Sequence, residues 1–154
     1  MSTIEFAEEL NQPRHCFSNT GAMTAEAAER ISDLHFTETY RVPFQFSRLV
    51  REHLGGDVDA MLTEHGLARS AISHWIAHTG GNRVLEAIAT ALDLPPGALD
   101  RSWRLLAATG NLSSASVLFV LRDLLDSRDA RPGDLGVMLA MGPGFCAELA
   151  LLRW

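Results

Sequence analysis

No lysine occurs in this chain; all 13 of its basic residues are arginine. That absence removes a Schiff-base lysine, a phosphate-loop lysine and a lysine general base from the available chemistry. Cysteine is nearly as scarce. Cys16 and Cys146 are the only two, too few for a disulfide framework or a four-cysteine metal site. The longest strongly apolar run, residues 117–121, is far too short to span a bilayer. Residues 1–14 show no basic segment leading into an apolar stretch, so no secretory signal is visible. Positive charge is also in deficit, with 13 basic against 19 acidic residues and a net charge of −6. That balance argues against generic binding to nucleic acid or an anionic membrane, which needs a basic face. These absences lead to the expectation of a soluble, cytoplasmic protein with neither nucleic acid nor membrane as a partner.

What is present is an ordinary globular composition: 47% of 154 residues are hydrophobic, enough for one domain with a core. Residues 1–37 read as a loosely specified lead-in. Thr24 caps a short alanine-rich helix there, between the turn-formers Asn11-Gln-Pro and Ser18-Asn-Thr-Gly. The second segment, residues 38–154, is more sharply patterned. Residues 39–42, before Pro43, suggest a strand. Phe46, Leu49, Val50, His53 and Leu54 keep helical spacing, and residues 58–65 form a second helical stretch with Gly66 as its C-cap.

Residues 72–78 read as a short strand running into Thr79-Gly80-Gly81. A helix follows over 82–92, and another over about 98–108 ends at Gly110-Asn111. The next starts at Ser113-Ser114 and reaches Ser127. Its apolar run, 117–121, covers every face, which predicts burial on all sides. Residues 136–141 and 145–152, joined through Gly142-Pro143-Gly144, predict a terminal hairpin. The alternation of strands and helices reads as α/β.

Three glycine-bearing elements stand out. In His78-Thr-Gly-Gly a strand feeds a helix, and in open α/β sheets ligands gather beyond the carboxyl ends of strands. Gly80 and Gly81 would let a ligand approach the backbone, with His78 projecting into the same space. Taken singly, His78 reads as a packing or capping residue, Asn111 in Gly110-Asn-Leu-Ser-Ser-Ala as a turn residue, and Gly142-Pro-Gly-Phe as a hairpin turn.

Together, in this order and near this spacing, the three elements resemble type III polyketide synthases, the chalcone-synthase-like branch of the thiolase superfamily. Members typically carry His-Pro-Gly-Gly, Gly-Asn-Met-Ser-Ser-Ala and Gly-Phe-Gly-Pro-Gly in their C-terminal half. The likeness runs from about residue 38 to Trp154. Thr79 stands for the usual proline, Leu112 for methionine, and Ala140-Met141 where Gly-Phe is common. These substitutions look more like the bacterial makers of dihydroxyphenylacetyl-CoA than like plant chalcone synthases. Ketoacyl synthase III, with His-Gln-Ala-Asn and Gly-Asn-Thr-Ser, is less similar.

The resemblance implies a thiolase-like C-terminal half: a mixed sheet with helices on both faces and a terminal β-hairpin. It also implies an acyltransferase. Malonyl-CoA loses carbon dioxide to give a thioester enolate, which attacks an acyl group held on a cysteine. Two neutral donors aimed at the thioester oxygen would stabilise the charge, each worth about 3 kcal/mol of barrier. By resemblance His78 and Asn111 are those catalytic donors. Gly80 and Gly81 would approach the coenzyme A arm, and Gly142, Pro143 and Gly144 would shape the cyclisation cavity. No cofactor is implied; coenzyme A thioesters, malonyl-CoA and an acyl-CoA starter, are the substrates.

The family's nucleophilic cysteine sits in a glycine- and alanine-rich turn of the N-terminal half. Arg14-His-Cys16-Phe lacks that context, and Cys146 falls in the last strand, so both read as ordinary cysteines. Members are over twice this long. The expectation is therefore a C-terminal half whose partner is an N-terminal-half polypeptide, or which self-associates as a homo-oligomer such as a dimer. The competing reading is a catalytically silent thiolase-fold subunit in a binding or structural role. Other polar residues point less clearly. His74 and His78 form H-x-x-x-H without a third metal ligand, His15, His35, His53 and His65 are scattered, and Asp123, Asp126 and Asp129 read as a solvated face. Arg83 could meet a coenzyme phosphate but reads more simply as a surface arginine.

Overall fold

A computed structural model of the protein describes residues 5–6, 42–142 and 146–154. The elements are β1 (Glu5–Phe6), α1 (Val42–Glu64), β2 (His74–Ala77), α2 (Asn82–Leu92), α3 (Asp100–Thr109), α4 (Ala115–Ser127), β3 (Leu135–Gly142) and β4 (Cys146–Arg153). The sheet order is β1-β4-β3-β2. β2 pairs parallel with β3, His74 opposite Gly136 and Ala77 opposite Leu139. β3 and β4 form the antiparallel terminal hairpin, Leu135 opposite Arg153 and Gly142 opposite Cys146. The α/β class, the mixed sheet and the hairpin are as the sequence implies. The lead-in helix, Cys16, Pro143 and Gly144 lie outside the described residues.

Side chains alternate across the sheet as the pleat requires. Trp75, Ala77, Val137, Leu139, Ala147 and Leu151 face a core shared with α1 and α2. Ile76 and Leu152 face the other way, against Val117, Val120 and Leu124 of α4, with Trp154 closing that cluster. Helices therefore cover both faces. Full burial of each such aliphatic side chain contributes roughly 1.5–3 kcal/mol before entropy is counted.

Two expectations need correction. The helical stretches around Phe46–Leu54 and 58–65 are one helix, α1, and Val42 opens it instead of closing a strand. Pro43 falls in the first turn, where a missing N–H leaves no helical bond unmade. Val50, Leu54, Val58, Met61 and Leu62 form one buried stripe running past Gly55-Gly56. Gly55 is retained because α2 crosses there: a Cβ would lie 2.8 Å from the Ala91 carbonyl oxygen. Arg69 bolts the crossing, giving both carboxylate oxygens of Asp59 a hydrogen bond at 2.6 and 2.8 Å and the Gly55 carbonyl another at 2.9 Å.

The second correction concerns α4, which is not buried on all sides. Val117, Val120 and Leu124 pack on the sheet, while Leu118 is 58% exposed and Phe119 45%. The sheet covers one side of the helix, so a run that is apolar all round leaves its other side open to solvent.

Helix ends follow local chemistry. Gly66, at φ +67°, ends α1 in a Schellman arrangement: the Leu67 N–H donates to Leu62 at 2.8 Å and the Gly66 N–H to Thr63 at 3.0 Å. Asp93, at φ +51°, ends α2 the same way with Leu94 and Ala89. At the start of β2, His74 Nε2 lies 3.0 Å from Asp134 Oδ2, and the Trp154 ring meets the His74 ring edge-on at 5.4 Å. The N–H of Arg131 and His74 hold the Asp134 carboxyl below the usual carboxylate range.

Two glycine substitutions should act in opposite directions. At Gly136 a Cβ would lie 2.7 and 2.9 Å from Trp154 ring carbons, so Gly136→Ala should destabilise by roughly 1–3 kcal/mol through overpacking. At helical Gly56 a Cβ would meet none of the described residues within 4 Å outside its own stretch of helix, and Gly56→Ala should stabilise by roughly 0.5–1 kcal/mol. Denaturant unfolding of the two variants checks both signs.

Candidate active site

β2 and β3 run parallel, so their carboxyl ends share one edge of the sheet, where helix-bound ligand sites of α/β proteins form. The ladder continues one step past β2: the His78 N–H donates to the Leu139 carbonyl at 2.9 Å. That bond places His78 at the strand's mouth. Its side chain is buried, 6% exposed, and burial pushes the imidazole pKa below the ordinary histidine value. The ring is therefore neutral at physiological pH, with one N–H to donate. Nδ1 is buried and, among the described residues, without a hydrogen-bond partner.

The two glycines after it have separate reasons. A Cβ on Gly80 would sit 3.2 Å from Val84 Cγ1 and 3.4 Å from His78 Cδ2, crowding the imidazole edge. Gly81 adopts φ 127°, ψ 166°, a region open essentially to glycine alone. Its carbonyl accepts the first bonds of α2, from Val84 at 3.0 Å and Leu85 at 3.1 Å. Arg83 is exposed one step inside that helix.

Asn111 reaches the same edge through its neighbour. Buried Thr79 directs its hydroxyl at the Gly110 carbonyl, 3.5 Å away, so the residue after His78 touches the residue before Asn111. Ser102 Oγ donates to the Ala77 carbonyl at 2.9 Å, bracing α3 against the end of β2. Asn111 is exposed, and its Oδ1 accepts from the Ser113 N–H at 2.8 Å. An N–H demands an acceptor, so this bond settles which amide atom faces the loop. Nδ2 is left as the available donor.

Gly142 ends β3 at this same edge, opposite Cys146 of β4. His78, Gly80, Gly81, the Asn111 loop and Gly142 thus share one edge. His74 belongs to the other end of β2 with Asp134, which separates the two histidines, and among the described residues no group of three metal-ligating side chains occurs. Cavities of about 400 and 380 Å³ also open at that other end, around Arg101 and Arg69, away from His78. In the larger one, Arg101 is tied to Asp123 and Asp129. In the sequence Thr79 reads only as a departure from proline. A hydroxyl in place of a residue with no side-chain donor was the signal for its contact with Gly110.

The depressed His78 pKa sets a sign for stability. The unfolded chain takes up the proton first, so the contribution is fully present above the unfolded value of about 6.5 and is lost as pH falls toward the folded one. An NMR titration of the His78 imidazole should give a midpoint below the ordinary value; a midpoint at or above it contradicts the burial described here.

Comparisons with known proteins place the chain in a family. The family described as "Chalcone and stilbene synthases, C-terminal domain" matches residues 23–154. The chain is 59% identical over 106 residues to 1,3,6,8-tetrahydroxynaphthalene synthase of Streptomyces peucetius subsp. caesius, covering 69% of this chain and 28% of that protein. It is 40% identical over 110 residues to 3,5-dihydroxyphenylacetyl-CoA synthase of Amycolatopsis orientalis, covering 71% of this chain and 30% of that one. Among solved structures, the 1,3,6,8-tetrahydroxynaphthalene synthase of Streptomyces coelicolor A3(2), a bacterial type III polyketide synthase, superposes with a TM-score of 0.64. It is 34% identical and covers 75% of this chain and 32% of that one. The chain therefore spans less than a third of the length of these relatives. Among the described residues no helix is long and apolar enough to cross a membrane. With its histidine, asparagine and glycine elements on one sheet edge, the chain belongs to the chalcone and stilbene synthase family of type III polyketide synthases, through that family's C-terminal domain.

Proposed function

We propose that this chain supplies the histidine- and asparagine-bearing half of a type III polyketide synthase that condenses malonyl-CoA onto an acyl-CoA starter. The nucleophilic cysteine would come from another polypeptide or from a segment beyond these 154 residues. The observation that carries the reading is the meeting of a neutral, buried His78 with the Asn111 loop at one sheet edge, made by the Thr79–Gly110 contact.

In the proposed reaction the malonyl C–C bond breaks and carbon dioxide departs, leaving its electron pair on the thioester enolate. His78 and the Nδ2 of Asn111 donate to the enolate oxygen as charge develops, and both are uncharged donors that need no reorganisation. The enolate carbon then attacks the acyl carbonyl on the cysteine. A C–C bond forms and the thiolate leaves. Gly80 and Gly81 would admit the coenzyme A arm against the backbone, and the Gly142-Pro143-Gly144 loop would border the cyclisation cavity. No cofactor takes part.

Carbon dioxide release from malonyl-CoA tests the reading, in the enzyme assembled with its cysteine-bearing portion. His78→Ala and Asn111→Ala should each lower kcat by about 10²–10³, as loss of one oxyanion donor does. Release unchanged in both variants contradicts the assignment. No release from the unaltered assembly favours a catalytically silent subunit.

A further inference from the structure

The loop that carries Asn111 is closed by three hydrogen bonds in a ring. Asn111 Oδ1 accepts from the Ser113 N–H at 2.8 Å. The Ser113 carbonyl accepts from the Ser116 N–H at 3.1 Å, and Ser116 Oγ accepts from the Leu112 N–H at 2.8 Å. Ser113 is held at φ +58° within this ring, a conformation that a serine adopts only when its surroundings enforce it.

Ser116 is fully buried, followed by Val117-Leu-Phe-Val, the apolar start of α4. Burying a hydroxyl there is unfavourable unless it is hydrogen-bonded, and alanine would fill the place without that cost. The bond it makes is specific in its consequence. The Leu112 N–H belongs to the peptide unit that follows Asn111, so anchoring it fixes the Asn111 backbone. The Ser113 bond then fixes the carboxamide.

We propose that Ser116 is a positioning residue for the reaction: its hydroxyl holds the peptide after Asn111 so that Nδ2 stays aimed at the thioester oxygen. This rests on the reading of Asn111 as a donor, and the two can be separated experimentally. In the enzyme assembled with its cysteine-bearing portion, Ser116→Ala should lower kcat for malonyl-CoA decarboxylation about ten-fold with KM little changed. The same substitution in an Asn111→Ala background should have no further effect, because its influence passes through Asn111. Amide exchange at Leu112 and Ser113 should quicken in Ser116→Ala, while exchange at core residues Ile88 and Val137 stays as in the parent.

An equal loss in both backgrounds, or an undiminished kcat in Ser116→Ala while Asn111→Ala is impaired, overturns the positioning role. Full activity of Asn111→Ala alone overturns the donor reading and the catalytic consequence with it. The exchange measurement then still decides whether Ser116 anchors the loop, and unchanged exchange at Leu112 and Ser113 refutes even that.

Discussion

The parallel pairing of β2 with β3 is the constraint from which the site follows. Because the two strands point the same way, the residues after Ala77 and after Met141 emerge on one edge. The last rung, His78 N–H to Leu139, carries the pairing one residue past the strand and leaves the imidazole buried at the sheet's mouth. An antiparallel pairing would send His78 and Gly142 to opposite ends. The parallel one requires a long crossover, and α2, α3 and α4 provide it, bringing Gly110-Asn111 back to the same edge between two of those helices.

The opposite end of β2 serves stability instead. His74, Asp134, the Gly133 amide and Trp154 are tied to one another there, and Gly136 is bare because the Trp154 ring occupies the space of its missing side chain. On one face α1 and α2 close the larger core across the Gly55 crossing, with Arg69 as the bolt. On the other face α4 closes a smaller one. The sheet that carries the site edge is thus packed by helices on both faces and tied at its far end.

Much of this was legible in the sequence. Helix 82–92 was readable to the residue because its apolar period lies between Gly81 and Leu94-Pro95-Pro96-Gly97, and the terminal hairpin because two apolar, strand-like runs flank Gly142-Pro143-Gly144. His78-Thr-Gly-Gly, Gly110-Asn-Leu-Ser-Ser-Ala and Gly142-Pro-Gly were visible as three ordered elements. The continuity of α1 was not, because Gly55-Gly56 reads as a break until α2's carbonyl is seen to need that space. The open face of α4 was not, because an apolar run states a preference for burial without stating how many sides a neighbour covers. Thr79 and Ser116 were passed over because hydroxyls are commonplace in turns. Their meaning lies in partners at Gly110 and Leu112 that only the folded loop supplies.

The central claim is that His78 and Asn111 polarise a single thioester oxygen. Infrared spectroscopy of acetyl-CoA carrying ¹³C at the thioester carbonyl, bound to the assembled enzyme, measures that polarisation directly. The account predicts a carbonyl stretch at lower frequency than in free acetyl-CoA, with part of the shift lost in His78→Ala and part in Asn111→Ala. A bound carbonyl that absorbs where free acetyl-CoA does would contradict it.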